Sequence, residues 1–431
     1  MAGNSSVVGE VLTFDDVIIV PGKSPVEPRD VELSSRVTRR IWISIPLVSS
    51  PMDTVTEWRM ALILARLGAV GVIHRNMSVD EQAMQVRRVK ESPPSPWYEV
   101  AKSTPEEPLS HLDFRLSEIG VGAAVLFEGS EFKGVYVAKG VRGEFWLKKA
   151  EAIAALVSSV KPIPSIDEEG RPRVGAAVSP YDVKRAKALE EAGADFLVVD
   201  VAHIHNVNAL RGLRQLVKDV SIDVVVGNLG TREAVLDVIS VAEDVGGLRA
   251  GIASGSICTT GEVTGASMPT LTAVMNAFDA LKELGAEREV PIIADGGVRN
   301  AGDAAKALIA GASSVMVGRM LAGTEEAPGS LVSVGGRLYK QYRGMASRSA
   351  IERRHASDRY AGRSKLIEEG VEGLVPYRGS VAEVLLEFAA GLQAALGYAG
   401  ASNVGEAWKA KLARVTQAGL REIKPHDIVL G

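Results

Sequence analysis

Cys258 is the only cysteine in the 431-residue chain. It stands in the run Gly251-Ile-Ala-Ser-Gly-Ser-Ile-Cys-Thr-Thr260, directly after an apolar stretch that reads as a strand. The thiolate is the nucleophilic form of cysteine, and a loop of glycine and serine exposes backbone N–H groups that stabilise it while letting the backbone approach a ligand closely. Most lone cysteines of intracellular proteins are instead small buried hydrophobes. Here Gly, Ser and Thr on both sides offer no apolar packing, so on residue type and context the two readings stand level. Two further clusters bear on the choice. Ala294-Asp-Gly-Gly297 and Val317-Gly-Arg319 each end an apolar run. An Asp-Gly-Gly alone is usually just a turn. Two glycine turns after the last two strands of a barrel, however, are a common way to hold a phosphate on backbone N–H groups. The expected ligand is a phosphorylated small molecule.

The elements that must position these residues alternate between short β-like runs and amphipathic helices. Strands are predicted at 45–50, 70–74, 173–178, 196–201, 223–226, 248–252, 291–294 and 314–317. Helices are predicted at 57–67, 79–91, 182–192, 207–217, 232–244, 271–284, 301–309 and 381–396. Eight strands and eight helices are the count of a (β/α)8 TIM barrel. The competing fold, a doubly wound open sheet, would carry a dinucleotide glycine fingerprint at its first strand–helix turn, and none is present. Two interruptions break the rhythm. Residues 92–171 open on a Pro/Ser stretch and contain β-like pieces at 121–127 and 134–137, a small inserted domain between barrel parts 1–91 and 172–431. Residues 323–380 are rich in Gly, Arg and Ser and follow the eighth strand, at the face where barrels build active sites; a segment of that length reads as a long active-site lid.

Composition narrows the partners. Apolar residues make up 46% of the chain and the net charge is −4, with a pI near 6.0. Lysines and arginines are scattered rather than clustered, which argues against nucleic acid as a partner. A lone cysteine cannot form an internal disulfide. No apolar run approaches the ~20 residues of a membrane span, and residues 389–400 read as a core helix. The first ten residues are small and polar, without a signal-peptide core. A soluble, cytoplasmic protein with no bound metal is the expectation.

These residues fall into a wider pattern. Leu12-Thr-Phe-Asp-Asp-Val17, Ser49-Ser-Pro-Met-Asp-Thr-Val-Thr-Glu57, Gly255-Ser-Ile-Cys258, Ile293-Ala-Asp-Gly-Gly297, Met316-Val-Gly318, Tyr342-Arg-Gly-Met345 and Glu369-Gly-Val-Glu-Gly373 occur in one order along the chain. Together they resemble the IMP dehydrogenase and GMP reductase superfamily, from about residue 8 to residue 425. The resemblance implies that Cys258 adds to C2 of IMP, that hydride passes from C2 to NAD, and that water releases xanthosine monophosphate (XMP), a step in guanine nucleotide synthesis. Thr260, Arg359 and Tyr360 would complete the catalytic set, the Arg-Tyr pair on the lid serving as base. An arginine is ordinarily always protonated, so that role demands local help, and outside the resemblance Arg359 would read as an exposed charge. Ser49, Met52, Ser256, Asp295, Gly297, Gly318, Arg319, Tyr342, Gly344, Met345 and Glu369 would hold IMP. Asp295 would take the ribose diol, Glu369 the base edge, and Ser256, the two glycine turns and Tyr342 the phosphate. Asp200 would contact the nicotinamide ribose, with Asn228 and Arg249 lining the same mouth. On spacing alone Met52 is core packing. The family forms square tetramers, some stacked into octamers, and a homotetramer is the expectation carried over.

Four departures qualify the match. Val201-Ala202 follow Asp200 where dehydrogenases carry two small hydroxyl residues, a pattern closer to GMP reductase. Ala253 stands in place of a glycine that helps bind a monovalent cation, so no strong potassium dependence is expected. Arg319 replaces a serine beside Gly318, adding a charge for the phosphate or pointing away from it. Residues 92–171 are too short for the family's two cystathionine-β-synthase-type nucleotide-sensing repeats, and 120–138 resemble only a remnant of one. The alternative activity is reductive deamination of GMP with NADPH; the Arg359-Tyr360 pair and Ser-Ser-Pro-Met favour the dehydrogenase. A nucleotide-binding regulator without chemistry is the third reading, against which the intact Cys258, Thr260 and Arg359-Tyr360 set argues.

Overall fold

In a computed structural model that describes residues 9–352 and 368–425, eight parallel strands close into a barrel. The strands and helices, in chain order, are β1 (Leu47–Ser49), α1 (Trp58–Arg66), β2 (Val70–Ile73) and α2 (Val79–Lys90), then, after the insertion described below, β6 (Gly175–Val178), α5 (Val183–Glu191), β7 (Phe196–Asp200), α6 (Val207–Asp219), β8 (Asp223–Leu229), α7 (Arg232–Val241) and β9 (Gly247–Ala250). A short α8 (Thr260–Thr264) and α9 (Thr270–Glu283) lead to β10 (Ile292–Asp295), α10 (Ala301–Ile309), β11 (Ser314–Val317) and the one-turn α11 (Arg319–Ala322). Neighbours run in chain order around the barrel, and β11 closes on β1 with Val317 opposite Ser49. This is the (β/α)8 barrel that the strand count predicts.

The barrel strands are buried along their length, as parallel strands covered on both faces must be. Alternate residues divide into two cores. Val48, Val70, Val72, Ala177, Phe196, Val198, Val225, Ile293 and Met316 fill the interior. Their neighbours, such as Leu47, Ile73, Leu197, Val226 and Leu248, pack outward against the helices. On the inward face shared with Ala177, position 175 is glycine because a Cβ there would lie 2.4 Å from the Phe196 ring. Val37, Ile41 and Ile43, from the two-stranded ribbon Ser35–Arg36 and Trp42–Ile43, plug the N-terminal end. The opposite, C-terminal end is left for chemistry. Helices begin sharply just beyond it: Ser78, Asn206, Thr231 and Asn300 each accept a backbone N–H at their helix's first turn.

The insertion holds β3 (Ala101–Ser103), α3 (Leu109–Ile119), β4 (Ala123–Glu128), β5 (Glu131–Val137) and α4 (Gly143–Ala155). Its three-stranded sheet covers a small core of Ala101, Leu112, Leu116 and Ala124. The other face of the sheet, through Ala123, Val125 and Phe127 of β4, joins Ala150, Ile153 and Ala154 of α4 in the barrel's core. The unit is therefore one β-α-β-β-α layer leaning on the barrel by its last helix.

The stretch that reads as a long active-site lid contains regular structure where described. β12 (Leu331–Val334), β13 (Arg337–Arg343), α12 (Arg348–Glu352) and β14 (Glu372–Pro376) form a three-stranded antiparallel sheet with one short helix. α13 (Val381–Ala399) follows, capped by Ser380 with Glu383 in reciprocal hydrogen bonds. At 19 residues and a mean hydropathy of 1.3, α13 is long and apolar enough to cross a membrane, contrary to the sequence expectation that no run comes close. Its burial explains its composition: Val381, Leu385, Phe388, Leu392 and Leu396 lie within the barrel's helical layer.

Candidate active site

The chemistry-bearing residues converge because each sits at or just past a strand's C-terminal end. β7 delivers Asp200, β8 Asn228, β9 Arg249 and the Cys258 loop, β10 Asp295, and β11 Gly318. β13 brings Tyr342 from the side. They enclose a cavity of about 440 Å³.

The cysteine loop is a tight turn, with the Cys258 N–H donating to Gly255 O at 3.0 Å. It is tied down at several points. Asn228 Nδ2 donates to Gly251 O at 2.7 Å, and Ser254 Oγ to Asp295 O at 3.0 Å. Thr270 Oγ1 bridges the same turn, 2.7 Å from Asp295 O and 2.8 Å from Gly296 O. Within the loop the Cys258 thiol donates to Thr260 Oγ1 at 3.2 Å, and that hydroxyl donates to Glu369 Oε2 at 2.9 Å. Thiol, hydroxyl and carboxylate form one chain along which a proton can leave sulfur. Ala253, on the same loop and lining the cavity, has φ +56°, a conformation that ordinarily favours glycine.

Asp200, Asn228, Arg249 and Asp295 form a charged network across the mouth. Arg249 gives Nη1 to Asp200 Oδ1 at 3.0 Å and Nε to Asp295 Oδ2 at 2.9 Å. Asn228 Nδ2 reaches the same Asp295 oxygen at 2.8 Å. Oδ2 is held from two sides, while Oδ1 of Asp295 makes no protein hydrogen bond among the described residues. Arg75, which the sequence did not single out, lies buried beneath this network and donates to Asp200 O at 3.1 Å.

At the other end, Gly297 and Gly318 line the cavity with Ser256, Arg319 and Tyr342. A side chain at Gly318 would crowd the Tyr342 hydroxyl, because its Cβ would lie 3.0 Å from that oxygen. Burial pushes the Tyr342 phenol above its ordinary pKa, against the pull of a hydrogen bond with Ser256, so it stays protonated as a donor. Arg319 is exposed and forms no hydrogen bond or ion pair among the described residues.

Met52, Asp200, Asn228, Arg249, Ser256, Cys258, Thr260, Asp295, Gly297, Gly318, Arg319, Tyr342, Gly344, Met345 and Glu369 thus all line one cavity. Ser49 does not. It is fully buried on β1, where its hydroxyl accepts from Thr56 at 2.8 Å, and Ser50 lines the cavity instead. Arg359 and Tyr360 lie outside the described residues. Among the described residues no group of three or more His, Cys, Asp or Glu side chains is placed to hold a metal ion.

A family model described as IMP dehydrogenase / GMP reductase domain matches residues 11–426. The chain belongs to this family. IMP dehydrogenase / GMP reductase relatives cover it almost completely. The inosine-5′-monophosphate dehydrogenase of Korarchaeum cryptofilum is 42% identical, over 96% of this chain and 96% of its own length. Those of Thermoplasma acidophilum and Cryptosporidium parvum are 40% and 38% identical, each over 98% of this chain and 96% of its own length.

Proposed function

We propose that the protein oxidises IMP to XMP with NAD, through a covalent adduct on Cys258, as a step in guanine nucleotide synthesis. The observation that carries the reading is the Cys258–Thr260–Glu369 hydrogen-bond chain, set in one cavity with the Asp295 carboxylate and the glycine turns at Gly297 and Gly318. Relatives named for this activity, across nearly their whole length, support it.

The site offers a place for each part of the substrate. Gly297, Gly318, Ser256, Tyr342 and Arg319 would hold the 5′-phosphate, and Asp295 Oδ1 the ribose. Met52, Gly344 and Met345 would flank the purine. The thiol passes its proton through Thr260 toward Glu369, and sulfur bonds to C2 of IMP. When bound, NAD accepts the hydride that leaves C2. The resulting thioimidate adds water at C2 and expels the cysteine sulfur, giving XMP; overall IMP, NAD⁺ and water become XMP, NADH and a proton. Arg359 and Tyr360, by resemblance, would activate that water. Asp200, Asn228, Arg249 and the apolar pair Val201-Ala202 line the same cavity and fit the nicotinamide ribose and ring.

Val201-Ala202 favour the second reading, GMP reduction with NADPH. Absorbance at 340 nm separates the two: a rise with IMP and NAD⁺ is expected, and a fall with GMP and NADPH as the only turnover would overturn the assignment. We further propose a cytoplasmic homotetramer without strong potassium dependence. Residues 92–171 would act as a single small domain rather than a paired nucleotide sensor, an idea that two-site ATP or GTP binding to this domain would defeat.

A further inference from the structure

The cysteine loop does not hold its shape alone. It is zipped to residues 369–371: Thr259 N–H donates to Glu369 O at 3.2 Å, Val371 N–H donates to Ile257 O at 3.0 Å, and Cys258 pairs with Gly370 in an antiparallel bridge. That segment is held in turn by the end of β13, since Gly344 N–H donates to Val371 O at 2.9 Å and Arg343 lies opposite Glu372 in the β13–β14 ladder. The nucleophile's geometry is therefore inherited from wherever β13 ends.

That end is fixed by one buried ion pair. Arg343, 5% exposed, gives Nε to Asp53 Oδ1 at 3.0 Å and Nη2 to Asp53 Oδ2 at 2.5 Å. Its Nη1 donates to Ser349 Oγ at 3.1 Å, and its backbone N–H to Thr54 Oγ1 at 3.2 Å. Asp53, 7% exposed, also accepts from Asn76 Nδ2 at 2.9 Å. The planar fork of Arg343 meets both carboxylate oxygens, a geometry that sets orientation as well as distance and that lysine cannot reproduce. Neither side chain lines the cavity. Their sequence neighbours do: Met52 on one side, Tyr342, Gly344 and Met345 on the other.

We propose that the buried Asp53–Arg343 pair is the positioning device for the Cys258 nucleophile, acting through residues 369–371. It locks the turn after β1 to the end of β13, and the backbone ladder from Gly344 through Val371 to Ile257 and Thr259 transmits that lock to the thiol. The inference rests on Cys258 being the nucleophile of the proposed reaction, but its main readout does not require turnover.

With a single cysteine in the chain, labelling by an aromatic disulfide reagent reports Cys258 alone. Wild type, Asp53→Asn and Arg343→Lys are compared in the full chain, with and without IMP, alongside kcat and KM. Asp223→Asn serves as the control, because it removes a buried carboxylate that pairs with the exposed Arg40 at the barrel's opposite end, away from the cysteine loop. In both test variants labelling should quicken several-fold and IMP should protect less. kcat should fall between about tenfold and a hundredfold, the size expected for a misplaced reacting group. The control should lose thermal stability while labelling at the wild-type rate. Wild-type labelling and protection in Asp53→Asn and Arg343→Lys would overturn the proposal, as would an equal change in Asp223→Asn. If wild type neither binds nor turns over IMP yet the labelling difference persists, the functional reading fails and the positioning role stands.

Discussion

At 3.2 Å the Cys258 thiol donates to Thr260, and Thr260 donates onward to Glu369 at 2.9 Å, so the acceptor that ends this chain sits two hydrogen bonds from sulfur. Replacing Glu369 by Gln keeps an acceptor of the same shape and removes the proton sink. The expected result is a fall in kcat of about a hundredfold, in the range of general-base catalysis, together with weaker IMP binding by calorimetry, since the same carboxylate is expected to read the base edge. Cys258→Ala should abolish turnover and still bind IMP; residual turnover at the wild-type rate would exclude the covalent route. Ala253 makes a different kind of prediction. At φ +56° its Cβ costs about 1–2 kcal/mol, whereas glycine there costs about 0.4–1 kcal/mol through the freer unfolded chain. Ala253→Gly should therefore raise stability by about 0–1.6 kcal/mol, read as a higher melting temperature. At this scale much of the site was legible, since Gly, Ser, Asp and Cys at strand ends announce themselves by type. What was not legible depends on a strand's last residue, as at Ser49 and Ser50, or on long-range pairing, as for Arg343 with Asp53 and Arg75 with Asp200. An arginine's partner 290 positions away leaves no local trace.

Among the elements, the barrel strands declared themselves because both faces are buried, which makes them short continuous apolar runs between helices with clear caps. β12 shows the opposite case. Its four residues are all exposed, so no buried face marks it, and its partner β13 is buried only toward its C-terminal end, at Lys340, Tyr342 and Arg343. That is why the region read as a lid. The insertion's first strand and α3 were missed for a similar reason, since their core is only a few residues. A polar knot supplements it. Glu107 receives Arg115 at 2.6 Å, His111 at 3.0 Å and the Ser103 hydroxyl, joining α3 to the end of β3. The Arg115 hydrogen bond, ahead of Ser103, holds the Glu107 carboxyl down from 4.5 to about 2. A carboxyl lowered on folding contributes stability that is complete above its unfolded value and is lost as pH falls toward its folded one. The stability gap between wild type and Glu107→Gln should be constant above about pH 5.5 and shrink steadily as pH falls through the carboxylate range. Denaturant melts between pH 7 and pH 3 measure this, and a gap that does not change with pH would remove the role assigned to Glu107.

Across the whole molecule, the insertion and the barrel meet at four buried charges. Arg66 of α1 lies 2.6 Å from Glu99, Lys149 of α4 lies 2.7 Å from Glu99 and 3.5 Å from Glu326, and none of the four side chains is more than 13% exposed. Glu326 also accepts from the Ser380 hydroxyl and from Val381 N–H, both at 2.9 Å, at the start of α13. One lysine thus ties the inserted unit to the segment between β11 and β12 and to the helix that closes the barrel's outer layer. The Glu99 carboxyl, although burial alone would raise it, is held below its ordinary value by Lys149 and Arg66, so the seam is charged at neutral pH. Removing one member of a buried pair leaves its partner desolvated and uncompensated, a loss of about 3–5 kcal/mol. Arg142 makes the matching contact outside: it pairs with Glu325 but is 57% exposed, and such pairs contribute about 0–1 kcal/mol. Lys149→Met should accordingly destabilise the protein by about 3 kcal/mol or more in denaturant unfolding at pH 7, against less than about 1 kcal/mol for Arg142→Ala. Because α4 lies in the barrel's own core, the loss should appear in one cooperative transition. A separate early transition in Lys149→Met, with the barrel's melting unchanged, would mean that the insertion is an independent unit and that the seam does not join the two.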